Sequence, residues 1–386
     1  MPLHLGINAL FVQPGKVGGA EYMLKNLVNG LNAVRSPSDR LTLISRARWP
    51  VAGPQEGLSW IEETSQGRRF FLEWKSVRRT AGEADAILMP NYFTPPTRAL
   101  RKTRIVTVIH DLQYLHFPHY FSLQKRLWLR AAHELTLRLA DQVVVISHFV
   151  KDDVLAHYGA RWEPTVQIIP NPISFDRFDS QPSDAEEALL SEATNDLQRR
   201  YILSVAAQFP HKNLESLIRA FAPLAQRKGF DDLRLILVGQ LPEALFGTRG
   251  GADLRLLIRE LGLEDRVTVT GHVSDALLGM LYRHATLFAF PSLFEGFGMP
   301  AVEALGFGLP VVTTRCGSLP EATLGLAHYV DDPHHIAEWT AVMTDILSRA
   351  EAYRPAPEDV AHVRDRYTPE RIGQLYYDVL SNGLVS

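Results

Sequence analysis

Residues 287–314 read Leu287-Phe288-Ala289-Phe290-Pro291-Ser292-Leu293-Phe294-Glu295-Gly296-Phe297-Gly298-Met299-Pro300-Ala301-Val302-Glu303-Ala304-Leu305-Gly306-Phe307-Gly308-Leu309-Pro310-Val311-Val312-Thr313-Thr314. The apolar run from Leu287 to Phe290 is expected to be a short buried strand. Gly296 and Gly298 let the backbone turn tightly and approach a ligand. Pro300 suits the first turn of a helix, where its missing N–H costs nothing. Gly308 and Pro310 end that helix, and Val311 to Thr314 is the next strand. A strand, a glycine loop, a helix and a strand within thirty residues are the repeating unit of a parallel α/β sheet. The helix start aims free N–H groups beyond the strand end, which suits a phosphate.

Two carboxylates flank this anion site. Glu303 reads either as a charge stabilising a helix N-terminus or as a ligand group, and Glu295 either as a solvated loop charge or as a ligand group. Beside a phosphate site, carboxylates repel the anion but accept hydrogen bonds from hydroxyls. The combination calls for a ligand that carries both, a nucleotide sugar.

Upstream, residues 201–205 form another expected strand. It runs into Ala206-Ala207-Gln208-Phe209-Pro210-His211-Lys212-Asn213 ahead of a helix over 214–225. Lys212 can neutralise a diphosphate as a point charge, and His211 is a weaker, pH-dependent cation beside it. Strands at 233–238 and 266–270 follow, the second ending in Gly271-His272-Val273-Ser274. Asp331-Asp332-Pro333-His334-His335 is a polar turn ahead of a helix from Ile336 rather than a metal cluster.

The first half repeats this architecture. A strand over 3–11 leads through Gln13-Pro14-Gly15-Lys16-Val17-Gly18-Gly19-Ala20-Glu21 into an amphipathic helix. Gly18 and Gly19 are either a second phosphate or sugar contact or a plain turn. They do not fit the Gly-x-Gly-x-x-Gly dinucleotide pattern, so a nicotinamide cofactor has little support. A strand over 41–45 precedes a Pro- and Gly-rich loop over 48–67. Residues 68–79, basic and aromatic, are either a helix on an anionic membrane surface or one burying Phe71, Trp74 and Val77. A buried strand over 84–89 ends in Pro90-Asn91-Tyr92-Phe93, where Asn91 and Tyr92 could shape an acceptor pocket. The β-branched strand over 105–109 ends in His110-Asp111, at the edge where open α/β sheets bind ligands. Asp111 orients His110, contacts an acceptor or caps a turn. Ser147 is the expected N-cap of a helix over 149–158, and residues 174–200, rich in Asp, Glu, Ser and Pro, are the expected linker.

At 386 residues, two domains are expected: 1–180, with a C-terminal helix over about 367–386 packing back on it, and 181–366. A hydrophobic content of 46% with 22% charged residues is that of a water-soluble globular chain, and the net charge of −3 argues against a nucleic-acid partner. The single cysteine, Cys316, permits no intramolecular disulfide and no cysteine-rich zinc site, which fits a reducing cytosol. No apolar run reaches the roughly 20 residues of a membrane span, and residues 1–7 do not read as a signal peptide. The expected place is the cytoplasm, with peripheral contact at the inner face of the membrane as the second reading of 68–79.

Glu295 and Glu303, with seven residues between them in a Phe-Glu-Gly-Phe-Gly-Met-Pro context, resemble the signature of group-1 (family 4) retaining glycosyltransferases. The likeness is strongest over 202–324 and clear over 105–171. It implies the GT-B fold, two Rossmann-like doubly wound α/β domains facing across a cleft, and a metal-independent enzyme with no cofactor. The absence of an Asp-x-Asp motif agrees. It further implies that Gly18 and Gly19 face the donor, that His110 lies near the donor sugar and phosphates, and that the loop at Val273 cradles the nucleobase. Glu295 would hold sugar hydroxyls and Glu303 the ribose. Lys212 and the loop Gly296, Phe297, Gly298 and Met299 would meet the diphosphate, with His211 beside them. Asp111-Leu112 and Phe117-Pro118 resemble a subgroup rich in mannosyltransferases. Ala206, Ala207 and His211 depart from the family pattern, as does Pro172 in Pro170-Asn171-Pro172. The implied reaction moves a hexose, with mannose favoured, onto a glycan or lipid-linked glycan. The alternative is an inactive GT-B sugar-nucleotide or glycan-binding protein.

Overall fold

The computed structural model describes residues 2–12, 19–65, 69–80, 82–96, 102–183, 186, 199–239 and 254–382. The chain divides into two compact units, Met1–Ser174 with Asp365–Ser386, and Phe175–Arg364.

The first unit is built on β1 (His4–Asn8), β2 (Arg40–Ser45), β3 (Leu58–Glu62), β4 (Ala86–Met89), β5 (Arg104–Ile109), β6 (Gln142–Val145) and β7 (Val166–Ile168). They pair in the order β3-β2-β1-β4-β5-β6-β7, every pair parallel. The inner strands are buried, which is why they read as unbroken Val, Ile and Leu runs rather than alternating ones. Strand β3 lies inside the stretch expected to be loop. It is a half-exposed edge strand beside β2, and flanking Pro and Gly masked its pattern.

The C-terminal helix Pro369–Ser381 lies in this unit, across helix Gly19–Val34. The crossing needs glycine on both sides. A Cβ on Gly30 would stand 1.8 Å from the Pro369 carbonyl oxygen, and one on Gly373 would stand 2.3 Å from the Gly30 carbonyl carbon. The Tyr377 hydroxyl donates to Asp39 at 2.7 Å, and Arg104 Nε donates to the Val379 carbonyl at 2.8 Å, fixing the helix against the sheet ends.

The second unit carries β8 (Tyr201–Val205), β9 (Arg234–Val238), β10 (Val267–Gly271), β11 (Leu287–Phe290), β12 (Val311–Thr314) and β13 (His328–Val330), the last not expected from sequence. The order is β10-β9-β8-β11-β12-β13, again all parallel. In both sheets the strand order reverses beside the unit's first strand, between β1 and β4 and between β8 and β11. Chain segments leaving the carboxyl ends of such a pair diverge, and the crevice between them is where open α/β sheets hold ligands.

Candidate active site

The crevice of the second unit decides where Lys212 and Glu295 sit. Strands β8 and β11 are neighbours, with Leu287 opposite Ile202 and Phe288 opposite Leu203. Their following loops therefore meet, although 83 residues separate them along the chain. Lys212 Nζ lies 2.5 Å from Glu295 Oε1 and 5.6 Å from the centroid of the Phe290 ring. The two charged side chains are largely buried, with 18% and 11% of their surface exposed.

The Glu295 loop is pinned from three directions. The His211 carbonyl accepts the Leu293 N–H at 2.7 Å and the Ser292 hydroxyl at 3.3 Å. From β12, the Thr313 and Thr314 hydroxyls donate to the Phe290 and Ser292 carbonyls. The Glu295 carbonyl accepts both the N–H and the hydroxyl of Ser318 at 3.1 Å. Gly317, at φ +61°, permits that approach, since a Cβ there would stand 2.4 Å from the Glu295 carbonyl oxygen. Gly296 and Phe297 are buried, and Gly298, at φ +91°, is the N-cap of helix Met299–Gly306, with Met299 half-buried at its start. Only glycine holds such a φ cheaply. Pro300 has no N–H, and the Gly298 carbonyl accepts the Ala301 and Val302 N–H groups at 3.1 and 3.4 Å, so the positive end of the helix faces outward mainly through its dipole.

His211 departs from expectation. Burial, with Lys212 alongside, pushes its imidazole pKa down to about 3, so at neutral pH it carries no charge. It is not a second, pH-dependent cation. Its carbonyl, which anchors the Glu295 loop, is the part that matters to the site's shape.

Glu303 is fully buried on the same helix, and its bonds run elsewhere. Arg177 Nη2 donates to Oε1 at 2.6 Å, and the Tyr282 hydroxyl donates to Oε2 at 3.0 Å. Arg177 Nη1 also reaches Asp275 Oδ1 at 3.3 Å. Burial pushes the Glu303 carboxyl up, and Arg177 opposes it. Asp275 and Tyr282 both lie on helix Asp275–His284, which Ser274 caps by accepting the Leu277 N–H at 3.1 Å. Val273, half-buried, directly precedes that cap. One helix thus connects the expected nucleobase loop to the groups that hold Glu303.

Arg177 lies in the stretch expected to be linker. That expectation fails for Phe175–Phe178: Phe178 is buried, and a Cβ on Gly306 would stand 2.1 Å from Phe175 Cζ. The available signal was Phe175 and Phe178, three apart in an otherwise polar segment, a spacing suited to one buried face. Most of the remaining linker, including 187–198, lies outside the described residues.

In the first unit, β5 lies beside β4, so His110 stands next to the loop after β4. His110 donates Nε2–H to the Pro90 carbonyl at 2.9 Å, an acceptor that fixes the tautomer and leaves Nδ1 as a lone-pair acceptor. Burial holds its pKa below the usual histidine value, against the pull of the Pro90 bond and Asp111. Asp111 Oδ1 accepts the Gln113 N–H at 3.0 Å, a turn-capping bond. Asn91 is buried, and neither amide atom has a partner among the described residues. Tyr92 stacks on His133 with ring centroids 5.0 Å apart. Gly19 opens helix Gly19–Val34, exposed, with nothing within 4 Å of an added Cβ. Neither packing nor φ therefore requires glycine there. Gly18 lies outside the described residues.

Two Rossmann-ordered parallel sheets, the second with a lysine–carboxylate pair and a glycine-capped helix at its switch point, define the GT-B class of α/β proteins. Comparison with known proteins narrows the class. The description "Glycosyl transferases group 1" matches residues 186–355, and "Glycosyltransferase Family 4" matches residues 17–177. The O-antigen chain mannosyltransferase B of Escherichia coli is 27% identical over 251 residues, 64% of this chain and 61% of that protein. The mannosylfructose-phosphate synthase of Agrobacterium fabrum is 29% identical over 237 residues, 61% of this chain and 50% of that protein. The matched segments thus span less than two thirds of those relatives' length. A D-inositol 3-phosphate glycosyltransferase of Corynebacterium glutamicum is 28% identical over 353 residues, 86% of this chain and 81% of that protein. Among solved structures, Anabaena Alr3699/HepE in complex with UDP-glucose aligns at TM-score 0.71 with 23% identity, covering 98% of this chain and 99% of that one. The sucrose-phosphate synthase of Thermosynechococcus elongatus aligns at 0.71 with 18% identity and the same coverage. These structural likenesses are of fold. The chain belongs to the group-1 (family 4) glycosyltransferases, and its fold is GT-B.

Proposed function

We propose that this chain is a retaining, metal-independent hexosyltransferase that moves a sugar, with mannose favoured, from a nucleoside diphosphate to a hydroxyl of a glycan or lipid-linked glycan. The observation that carries the reading is the Lys212–Glu295 pair beside the glycine-capped helix Met299–Gly306. In one crevice it supplies a cation and the positive end of a helix for a diphosphate and a carboxylate for sugar hydroxyls. Mannose rests on the O-antigen mannosyltransferase relative.

In the reaction, the bond from the anomeric carbon to the diphosphate oxygen breaks, and the acceptor oxygen bonds to that carbon on the same face. The acceptor's proton passes to the leaving phosphate oxygen. Positive charge builds on the sugar ring and negative charge on the diphosphate, and Lys212 with the helix start stabilises the latter. Glu295 orients the sugar, Glu303 takes the ribose, and the loop at Val273 takes the base. Gly19 approaches the donor, and His110, neutral with Nδ1 bare, accepts a hydroxyl of the sugar. Asn91, Tyr92 and Asp111 belong to the acceptor side.

A peripheral membrane contact fits a lipid-linked acceptor. Phe71 is 61% exposed on helix Arg69–Thr80 beside the exposed Lys75 and Arg78. Leu123, Leu127 and Trp128 are exposed on helix Leu123–Leu139 with Arg130 among them. Apolar anchors among cations suit an anionic bilayer surface. No helix among the described residues is long and apolar enough to cross a membrane.

The test is donor turnover. GDP-mannose and UDP-glucose are incubated with the full chain, and release of nucleoside diphosphate is followed with and without lipid-linked acceptors. Turnover that disappears in Glu295→Ala supports the enzyme. Tight donor binding without turnover across the acceptor panel identifies a binding module instead. Sedimentation with anionic against neutral vesicles, compared with Arg78→Glu, decides the membrane contact.

A further inference from the structure

We propose that Arg177 is a positioning residue of the donor site: with Tyr282 it holds the Glu303 carboxylate so that one acceptor position on each oxygen stays open to a ribose cis-diol. The inference rests on the reading of Glu303 as the ribose acceptor and adds a role for a segment that resembled a linker.

The segment is seated, not solvated. Phe175 packs where Gly306 leaves room at the end of helix Met299–Gly306, and Phe178 packs against Gly279 of helix Asp275–His284. A Cβ on Gly279 would stand 2.7 Å from both the Cβ and the carbonyl oxygen of Phe178. Both helices therefore give up a side chain to admit the two rings, and Arg177 is delivered between them. Its guanidinium lies 4.2 Å from the centroid of the Phe178 ring, a flat support that fixes the plane of the fork. The fork then divides, with Nη2 on Glu303 at 2.6 Å and Nη1 on Asp275 at 3.3 Å.

Glu303 needs this arrangement. It is the fifth residue of its helix, beyond the first turn, where the helix dipole has faded. With the carboxylate this deeply buried, an ionised form persists only with a cation and hydrogen bonds to hold it. Arg177 supplies the cation and one donor, Tyr282 supplies the second donor, and Asp275 is the opposing charge. An ionised carboxylate offers about four acceptor positions. Among the described residues Arg177 takes one on Oε1 and Tyr282 one on Oε2, which leaves one on each oxygen, the pattern a cis-diol satisfies by donating twice. Losing Arg177 would leave the carboxylate free to protonate or rotate, and either change spoils that pattern.

The experiment measures binding of GDP and UDP, and of their 2′,3′-dideoxy counterparts, by titration calorimetry on the full chain. The variants are Arg177→Met, Arg177→Lys, Tyr282→Phe and Glu303→Gln, with unfolding midpoints recorded for each. Two hydrogen bonds to a charged acceptor predict a wild-type preference for the ribose form of about tenfold to a hundredfold. Arg177→Met and Glu303→Gln should bring that ratio close to one while dideoxy affinity stays within about twofold. Arg177→Lys should restore part of the ratio, and Tyr282→Phe should lower it less than Arg177→Met does. If Arg177→Met keeps the wild-type ratio, with both nucleotides weakened equally or only the midpoint lowered, the arginine is a structural pin and the inference is overturned. If Glu303→Gln also keeps the ratio, the ribose assignment of Glu303 fails and takes the inference with it. If neither nucleotide binds the wild-type chain, the donor-site reading itself fails.

Discussion

Lys212 is paired with Glu295, and that pairing opposes the diphosphate it is expected to serve. Consider Glu295→Gln. A unit charge pair about 4 Å apart interacts by roughly 4 kcal/mol at the effective dielectric near a protein surface, before desolvation is charged against it. Here the atoms are 2.5 Å apart and both side chains retain some exposure, so screening and desolvation return much of that gain. A net pair strength of about 2 kcal/mol is consistent with both limits. The glutamine amide oxygen can still accept from Lys212, so the substitution releases roughly half, about 1 kcal/mol or about fivefold in an equilibrium constant. Free nucleoside diphosphate should therefore bind Glu295→Gln about fivefold more tightly than wild type. Sugar transfer by the same variant should fall by about a hundredfold or more, because the group that orients the hydroxyls is weakened where transition-state charge develops. Lys212→Met should move both quantities down. The diphosphate loses a charge-assisted contact, and the second unit loses about 2 kcal/mol of stability because the Glu295 carboxylate is left without its cation. The assays are calorimetric titration with GDP and UDP, initial rates with the sugar nucleotide, and urea unfolding. A Glu295→Gln variant that folds normally yet binds nucleoside diphosphate tenfold more weakly would refute the reasoning. Lysine and carboxylate would then be parts of one receptor rather than competitors.

Three other outcomes follow from the geometry. Gly317→Ala should cost more than Gly298→Ala, although both glycines have positive φ, since the new methyl meets the Glu295 backbone in the first case and the movable Leu319 side chain in the second. Unfolding midpoints and transfer rates should fall in that order. Gly30→Ala should destabilise the first unit by about 3 kcal/mol or detach the terminal helix, because its methyl would coincide with the Pro369 carbonyl; thermal melts and protease sensitivity near residue 365 report it. Acid should weaken both units through buried histidines. The pKa of His133 is pushed down to about 4 and that of His211 to about 3, both below the unfolded value near 6.5, so the unfolded chain takes up the extra protons. Their contribution is whole above pH 6.5 and is lost as pH falls toward those values, by about 3 kcal/mol for His133, so His133→Leu should flatten the first unit's stability between pH 6.5 and 4.

The parts of the site readable in the sequence are those written locally. Gly296, Gly298 and Pro300 announce a turn and a helix start because each acts on its own backbone, and the buried strands announce themselves as unbroken apolar runs. Strand β3 escaped because its five residues are all partly exposed and carry no such run. Partnership escaped more thoroughly. Nothing local says that Lys212 meets Glu295 or that Arg177 meets Glu303, pairs 83 and 126 residues apart. The first follows only once the strand order is known, the second only from the seating of Phe175 and Phe178 against Gly306 and Gly279. His211 shows the same limit in electrostatics, since its sequence neighbours suggest a cation and only its packing makes it neutral. In the second sheet the reversal beside the first strand brings loops from distant parts of the chain, those of Lys212 and Glu295, to one crevice. In the first sheet Pro90 and His110 meet because the consecutive strands β4 and β5 are neighbours. The chemistry at each crevice is therefore a consequence of strand order, and changing a side chain there without changing the order should alter what binds while leaving where it binds unchanged.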